Sequence, residues 1–167
     1  SIDLYAYSLA FMREDDTDRL YLGSFYGDPP YGSNPTQSVL STIDENGIEI
    51  VGNISGLTGL SATTEIAGTN DGRLFVQSFG ADSQFLEVDP YNGSIKQQWD
   101  LDISISGYGF TFALWDDDVW FFPSSASGYT QLYRFNIQDG SVELVRSFSE
   151  TMVGAAAPTC APSNVGG

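Results

Sequence analysis

Short apolar stretches alternate with polar positions along the chain, and one pattern of strand, tight turn and strand occurs three times. The three stretches are "VLSTIDENGIEIV" (39–51), "FLEVDPYNGSIKQQW" (85–99) and "LYRFNIQDGSVELV" (132–145). Their turn glycines Gly47, Gly93 and Gly140 are spaced 46 and 47 residues apart. Tight hairpins need positive φ, which glycine adopts at little cost, so Gly93 and Gly140 are predicted to adopt it.

Two further apolar runs precede each hairpin. The nearer runs are "DRLYLGSF" (18–25), "GRLFVQSF" (72–79) and "DVWFFPSS" (118–125), and the earlier runs are "YSLAFMRE" (7–14), "ATTEIAGT" (62–69) and "GFTFALW" (109–115). Each unit therefore contains four short strands, and the units cover about 7–55, 61–105 and 109–150. No segment shows the 3.6-residue apolar period of a helix, so we expect almost none.

Four-stranded antiparallel units that recur every 45–50 residues are typical of β-propeller blades. The hairpins pair Asp89 with Gly93 and Asn136 with Gly140, and Asp44 with Gly47 one residue closer. This pattern resembles the blade hairpins of bacterial propeller repeats of the PQQ, YVTN and NHL kinds. The Trp-Asp pair of WD40 repeats and the double glycine of kelch repeats are missing. A plain antiparallel sandwich with duplicated hairpins is the alternative.

The sequence thus predicts an all-β domain over 1–158, with three blades, a tail strand at 151–158 and a C-terminal tail at 159–167. The ending "VGAAAPTCAP" (153–162) is similar to the ends of secreted bacterial propeller-like proteins. Closed propellers have about four to eight blades. We therefore expect no compact monomer: the chain pairs with itself in a six-blade ring or with other propeller segments, through 1–12 and 151–158.

Charge and cysteine content restrict the partners. The net charge is −16 with only six basic residues, which argues against binding to nucleic acid or to an anionic membrane. No apolar run is long enough to insert into a bilayer as a helix. The acidity suits an extracellular or cell-surface protein. Cys160 is the single cysteine, so it is either an intermolecular disulfide candidate or an inert thiol.

The sequence offers little catalytic chemistry. It has no histidine, which removes the commonest general base and zinc ligand. The chain is therefore predicted not to be an enzyme, and no catalytic residue or metal ligand is assigned. Calcium is the one metal that the acidic turns permit, although no EF-hand loop is present. Asn53 and Asn92 begin Asn-x-Ser triplets and are glycosylation candidates.

Two kinds of loop are predicted at opposite ends of the blades. The turns at one end are acidic, whereas the loops at the other end are rich in Gly, Ser and Tyr, a composition that suits recognition. The candidate binding residues there are Tyr26, Tyr31, Tyr108 and Tyr129. The leading prediction is a non-enzymatic secreted or surface module for binding or assembly. The alternatives are lectin-like carbohydrate binding and a fragment of a propeller hydrolase.

Overall fold

The computed structural model describes residues 3–28, 33–58, 63–79, 83–101, 103, 110–116 and 118–157. Within these ranges the chain forms twelve strands and no helix. The strands are β1 (Asp3–Glu14), β2 (Thr17–Asp28), β3 (Ser33–Asp44), β4 (Gly47–Asn53), β5 (Thr64–Gly68), β6 (Leu74–Ser78), β7 (Gln84–Val88), β8 (Ile95–Asp100), β9 (Phe112–Trp115), β10 (Asp118–Phe121), β11 (Thr130–Asn136) and β12 (Val142–Phe148).

Each set of four consecutive strands forms one antiparallel sheet in which neighbours in sequence are neighbours in space. Sheet 1 contains β1–β4, sheet 2 contains β5–β8 and sheet 3 contains β9–β12. The prediction of an all-β chain with three four-stranded antiparallel units is confirmed.

Local hydrogen bonds fix the last hairpin of sheets 2 and 3. The amide of Gly93 donates to the carbonyl of Asp89, and that of Gly140 donates to the carbonyl of Asn136, both at 2.9 Å. The side chains of Asp89 and Asn136 each accept a second amide two residues further on. Both glycines have φ of 73°, so the predicted positive φ is confirmed.

Sheet 2 lies between the other two sheets and is covered on both faces. One apolar core joins Met12, Tyr21 and Leu40 of sheet 1 to the face of sheet 2 that carries Leu74 and Val76. A second core, largely aromatic, joins the opposite face of sheet 2 to sheet 3. All five residues of β6 are therefore buried. Its apolar residues Leu74, Phe75 and Val76 follow one another directly instead of alternating with polar residues.

The first strands of sheets 1 and 2 run side by side. The amide of Arg13 donates to the carbonyl of Thr69 (3.0 Å), and the hydroxyl of Ser8 donates to the carbonyl of Thr64 (2.6 Å). Gly68 permits this approach, because a Cβ there would overlap the carbonyl oxygen of Phe11 and the main chain of Met12. The two sheets therefore meet backbone to backbone at their inner strands.

The register of sheet 3 differs from the one that a direct sequence match suggests. Matching "DVWFFPSS" to "GRLFVQSF" without a gap aligns Trp120 with Leu74. In the structure Leu74 pairs with Val88 and Val119 pairs with Phe135, and each pair lies one residue before its hairpin turn. Val119 therefore corresponds to Leu74, and this shift of one residue turns Trp120 to the other face of the sheet.

Residues 151–157 form no strand and lie against their own sheet 3. The amide of Met152 donates to the hydroxyl of Thr130 (2.9 Å), the hydroxyl of Ser124 donates to the carbonyl of Met152 (2.8 Å), and the amide of Ala155 donates to the hydroxyl of Thr111 (2.9 Å). The predicted tail strand at 151–158 is thus an irregular segment as far as Ala157. Cys160 lies outside the described residues.

Candidate functional site

One face of sheet 1, on the side away from sheet 2, has several exposed apolar side chains among the described residues, although Leu22 near its centre is 5% exposed. We call it the open face and define it by Leu9, Phe11, Ile43, Ile48 and Ile50. Their exposed fractions are 64%, 51%, 37%, 52% and 48%. Strand pairing places Leu9 opposite Leu22 and Ile43 opposite Ile48, so these side chains point to one side of the sheet. A group of exposed large apolar side chains on one face is typical of an interaction surface.

The corresponding face of sheet 2 is buried. The pair Leu9–Leu22 of sheet 1 has the same place in the ladder as the pair Ile66–Val76 of sheet 2. Ile66 and Val76 are 5% and 0% exposed, because they pack against sheet 1.

Sheet 3 repeats this arrangement one step further along the stack. Val119 and Phe135 are paired with each other on the face that packs against sheet 2, and they are 0% and 1% exposed. The same face of a four-stranded sheet is therefore covered by the preceding sheet twice and left open once.

A cavity of about 350 Å³ lies beside the open face. Side chains of the three first strands line it, among them Leu9, Ile66 and Phe112, together with Ala155–Ala157 of the C-terminal segment. The lining is largely apolar, with Asp18 as its charged member. The cavity therefore marks the place where the inner strands of the three sheets approach one another.

The four tyrosines predicted from the sequence do not form one described site. Tyr26 is half-buried in β2, and its carbonyl accepts a hydrogen bond from the Thr36 hydroxyl (3.1 Å). Tyr129 is 45% exposed in the β10–β11 loop of sheet 3, where its carbonyl accepts the amide of Ser125. Tyr31 and Tyr108 lie outside the described residues. Binding through these tyrosines stays a prediction.

Both glycosylation candidates are exposed. Asn53 ends β4, and Asn92 lies in the turn between β7 and β8, where its side chain accepts the amide of Ser94 (2.8 Å). The carbonyl of Asn92 lies against Gly52, where a Cβ would overlap it. The two asparagines are therefore close together where sheets 1 and 2 meet.

The acidic turns are stabilised by local hydrogen bonds. The amide of Asn46 lies 2.7 Å from a carboxylate oxygen of Asp44, and this bond lowers the pKa of Asp44. Hydrogen bonds from Ser141 lower the pKa of Asp139 in the same way. In the described part of the chain, no three carboxylate, cysteine or histidine groups are close enough to hold a metal ion. Calcium binding stays a prediction.

A pair of polar residues in the middle sheet, sheet 2, was not predicted from the sequence. Glu65 on β5 is directly opposite Gln77 on β6. Gln77 is 1% exposed, and neither atom of its amide has a hydrogen-bond partner among the described residues. Burial raises the pKa of Glu65 to about 7. A Gln within the apolar run "LFVQS" is the signal that could have pointed to it. One carboxyl group and one amide can bind a polar group, but they do not supply the two carboxylates of a glycosidase.

Glu65 should make stability depend on pH. Folding raises its pKa from 4.5 to about 7, so its contribution is complete below pH 4.5 and is lost as the pH rises to about 7. Because Glu65 is partly exposed, we expect a loss of about 1–2 kcal/mol after solvent screening. Urea unfolding of the wild type and of Glu65→Gln at pH 5 and pH 8 measures it.

Glu65→Gln should remove this part of the pH dependence, because the amide does not titrate. Glu45→Gln in the exposed β3–β4 turn is the matched control and should behave like the wild type. If Glu65→Gln and the wild type lose the same stability between pH 5 and pH 8, Glu65 is not protonated in the folded protein.

Comparisons with known proteins do not assign the chain to a family. No family model matches the sequence, and a search of curated proteins finds no significant match. Within the described ranges, no helix has the length and apolar character needed to cross a bilayer. The resemblance to propeller repeats therefore remains a prediction.

Proposed function

We propose that the protein is a non-enzymatic β-propeller module, secreted or displayed at a cell surface, that serves as an assembly scaffold. The open face of sheet 1 is the observation that carries this proposal. Three four-stranded antiparallel sheets stacked face to face are the arrangement that blades of a propeller have. An uncovered apolar face at the start of such a stack is a place for one more sheet.

The occupant of the open face is a sheet from a second copy of this chain. Sheets 2 and 3 already show what covers the corresponding face, namely a four-stranded sheet with apolar side chains at matched positions. A second copy can supply such a sheet, and this supports it as the occupant. Covering half-exposed Leu, Ile and Phe side chains contributes roughly 1 kcal/mol each, so five of them can support association.

Leu9→Arg tests the proposal. Leu9 is the most exposed member of the open face, and an arginine there would bury an unpaired charge in any contact with a second sheet. We expect the wild type to sediment as an assembly heavier than the 18.1 kDa chain and Leu9→Arg to sediment as the single chain. Tyr91→Arg is the matched control, since Tyr91 is 66% exposed in a turn of sheet 2 and should leave the assembly intact.

A wild-type protein that sediments as a single chain at every concentration contradicts the proposal. The same conclusion follows if Leu9→Arg and Tyr91→Arg have equal effects, because association would then not involve the open face. Circular dichroism of each variant confirms that the strands are retained.

A further inference from the structure

We infer that the outward face of sheet 3 is the surface that covers the open face of a second copy, so that two chains pair head to tail. This inference rests on the proposed function and names its partner surface. The outward face of sheet 3 is defined by Ala113, Trp120, Leu132 and Arg134, which alternate along their strands with the residues packed against sheet 2 and so lie on the side away from it.

Ladder positions support this assignment. Trp120 corresponds to Phe75 of sheet 2 and Tyr21 of sheet 1, because each pairs with the residue two positions before its hairpin turn, namely Arg134, Glu87 and Thr42. Tyr21 packs against sheet 2, and Phe75 packs against sheet 3. At this position the first two sheets thus present an aromatic ring to the sheet that follows.

Leu132 and Ala113 follow the same rule. Leu132 lies four residues before the turn residue Asn136, as Phe85 does before Asp89, and Phe85 packs against sheet 3. Ala113 pairs with Trp120 as Ala67 pairs with Phe75. At these three positions the outward face of sheet 3 therefore resembles the face by which sheet 2 receives sheet 3, and Arg134, which lies near Asp118 and Glu143, is its charged member.

The C-terminal segment takes the path of a connection between sheets. After sheet 1 the chain crosses the face that meets sheet 2, and Ile54 and Leu57 of that connection are buried in the core. After sheet 3, Met152 and Ala155 cross the outward face in the same way, on Thr130 and Thr111. The C-terminal segment therefore covers the far end of the outward face, as the connection after sheet 1 does where sheets 1 and 2 meet. Trp120 is partly buried, and we assign its remaining surface to the contact with a partner.

The open face of sheet 1 can pack face to face against the outward face of sheet 3 of a second copy. Phe11 occupies the position that Gly68 has in sheet 2, so the backbone contact made at Gly68 cannot recur there. Leu114 of sheet 3 has the same position, and it packs in the second core. A large side chain at this position is therefore compatible with face-to-face stacking.

The number of chains in the assembly follows from the requirement that the ring of sheets closes. A head-to-tail contact is heterologous, and it ends in a ring only if the rotation closes. Two copies give a ring of six sheets, whereas three give nine, which is outside the range of about four to eight blades. The assembly is therefore a two-fold ring with two identical contacts.

Mixing two variants tests the inference. Leu9→Arg alters the open face and leaves the outward face of sheet 3 with its own side chains, whereas Trp120→Arg alters the outward face of sheet 3 and leaves the open face with its own. Each alone should raise the dissociation constant by roughly 100-fold or more, because every contact then buries one unpaired guanidinium. The mixture should recover a two-chain species by sedimentation, since an undamaged Trp120 face can meet an undamaged Leu9 face in one of its two contacts.

Three outcomes separate this inference from the proposed function. If Leu9→Arg dissociates the protein while Trp120→Arg does not, the open face pairs with something other than sheet 3, and only the inference fails. If both dissociate it but the mixture does not recover, the two faces do not meet, and again only the inference fails. A single-chain wild type overturns both. Leu132→Arg replaces Trp120→Arg if circular dichroism shows that the latter does not fold.

Discussion

Replacing Phe85 by alanine is expected to lower the free energy of unfolding by about 3–5 kcal/mol. Phe85 is fully buried between sheets 2 and 3. Its ring centroid lies 5.2 Å from that of Phe121, 5.4 Å from that of Trp99 and 5.5 Å from that of Phe112. Truncation removes contacts to both sheets and leaves a cavity that rigid strands fill only in part. Urea unfolding monitored by circular dichroism measures the change.

Tyr91→Ala is the matched control for Phe85→Ala. Its ring is 66% exposed, so we expect a change within about 0.5 kcal/mol. A loss of several kcal/mol is a large part of the total stability of a domain of this size. If Phe85→Ala costs less than about 1 kcal/mol, the two sheets do not pack through this aromatic cluster.

The second large effect is expected for Gly68→Val, which should cost about 3 kcal/mol by forcing two strands apart. A Cβ at Gly68 would overlap the carbonyl oxygen of Phe11 and the main chain of Met12. These are backbone atoms, so they cannot rotate away as a flexible side chain does. Relief requires β1 and β5 to separate, which loosens the core around Met12. Thermal and urea unfolding measure the loss.

Gly154→Val provides the comparison for Gly68→Val. A Cβ at Gly154 meets no atom of the described residues within 4 Å, so valine there should change stability by no more than about 0.5 kcal/mol. Equal melting temperatures for the two variants would show that β1 and β5 do not approach as closely as the structure has them.

The three-sheet architecture could be predicted from the sequence because its signals are local. Each of these hairpins contains the residues that form its own turn. The side chains of Asp89 and Asn136 accept hydrogen bonds from turn amides, and Gly93 and Gly140 adopt the positive φ. Alternation of apolar and polar residues then places the flanking strands. None of this requires knowledge of a distant contact.

The face of a strand is harder to predict where both faces are large and apolar. Trp120 lies between Val119 and Phe121, so the pattern there does not indicate which side points to the core. An error of one residue in the alignment of 118–125 with 72–79 assigns every side chain of β10 to the wrong face of the sheet. The correct alignment follows from the pairing of Val119 with Phe135, which only the three-dimensional structure shows.

The open face of sheet 1 could not be predicted from the sequence, because its exposure depends on tertiary packing. The sequence pattern indicated the tyrosine-containing loops instead. Leu9 and Ile66 are both apolar residues in a strand, yet one is 64% exposed and the other 5%. Only the stacking order of the sheets separates them. The same is true of Glu65, whose burial next to Gln77 comes from packing between sheets.

The meander topology has a consequence for how the chain folds. In every described sheet each strand pairs with the next in sequence, so closing a hairpin costs little chain entropy. Rapid local pairing is therefore expected to come before slower docking of sheets. Sheet 2 is vulnerable in that interval, because β6 is apolar on both sides. During synthesis sheet 1 leaves the ribosome first, so one of those sides finds its partner before sheet 3 exists.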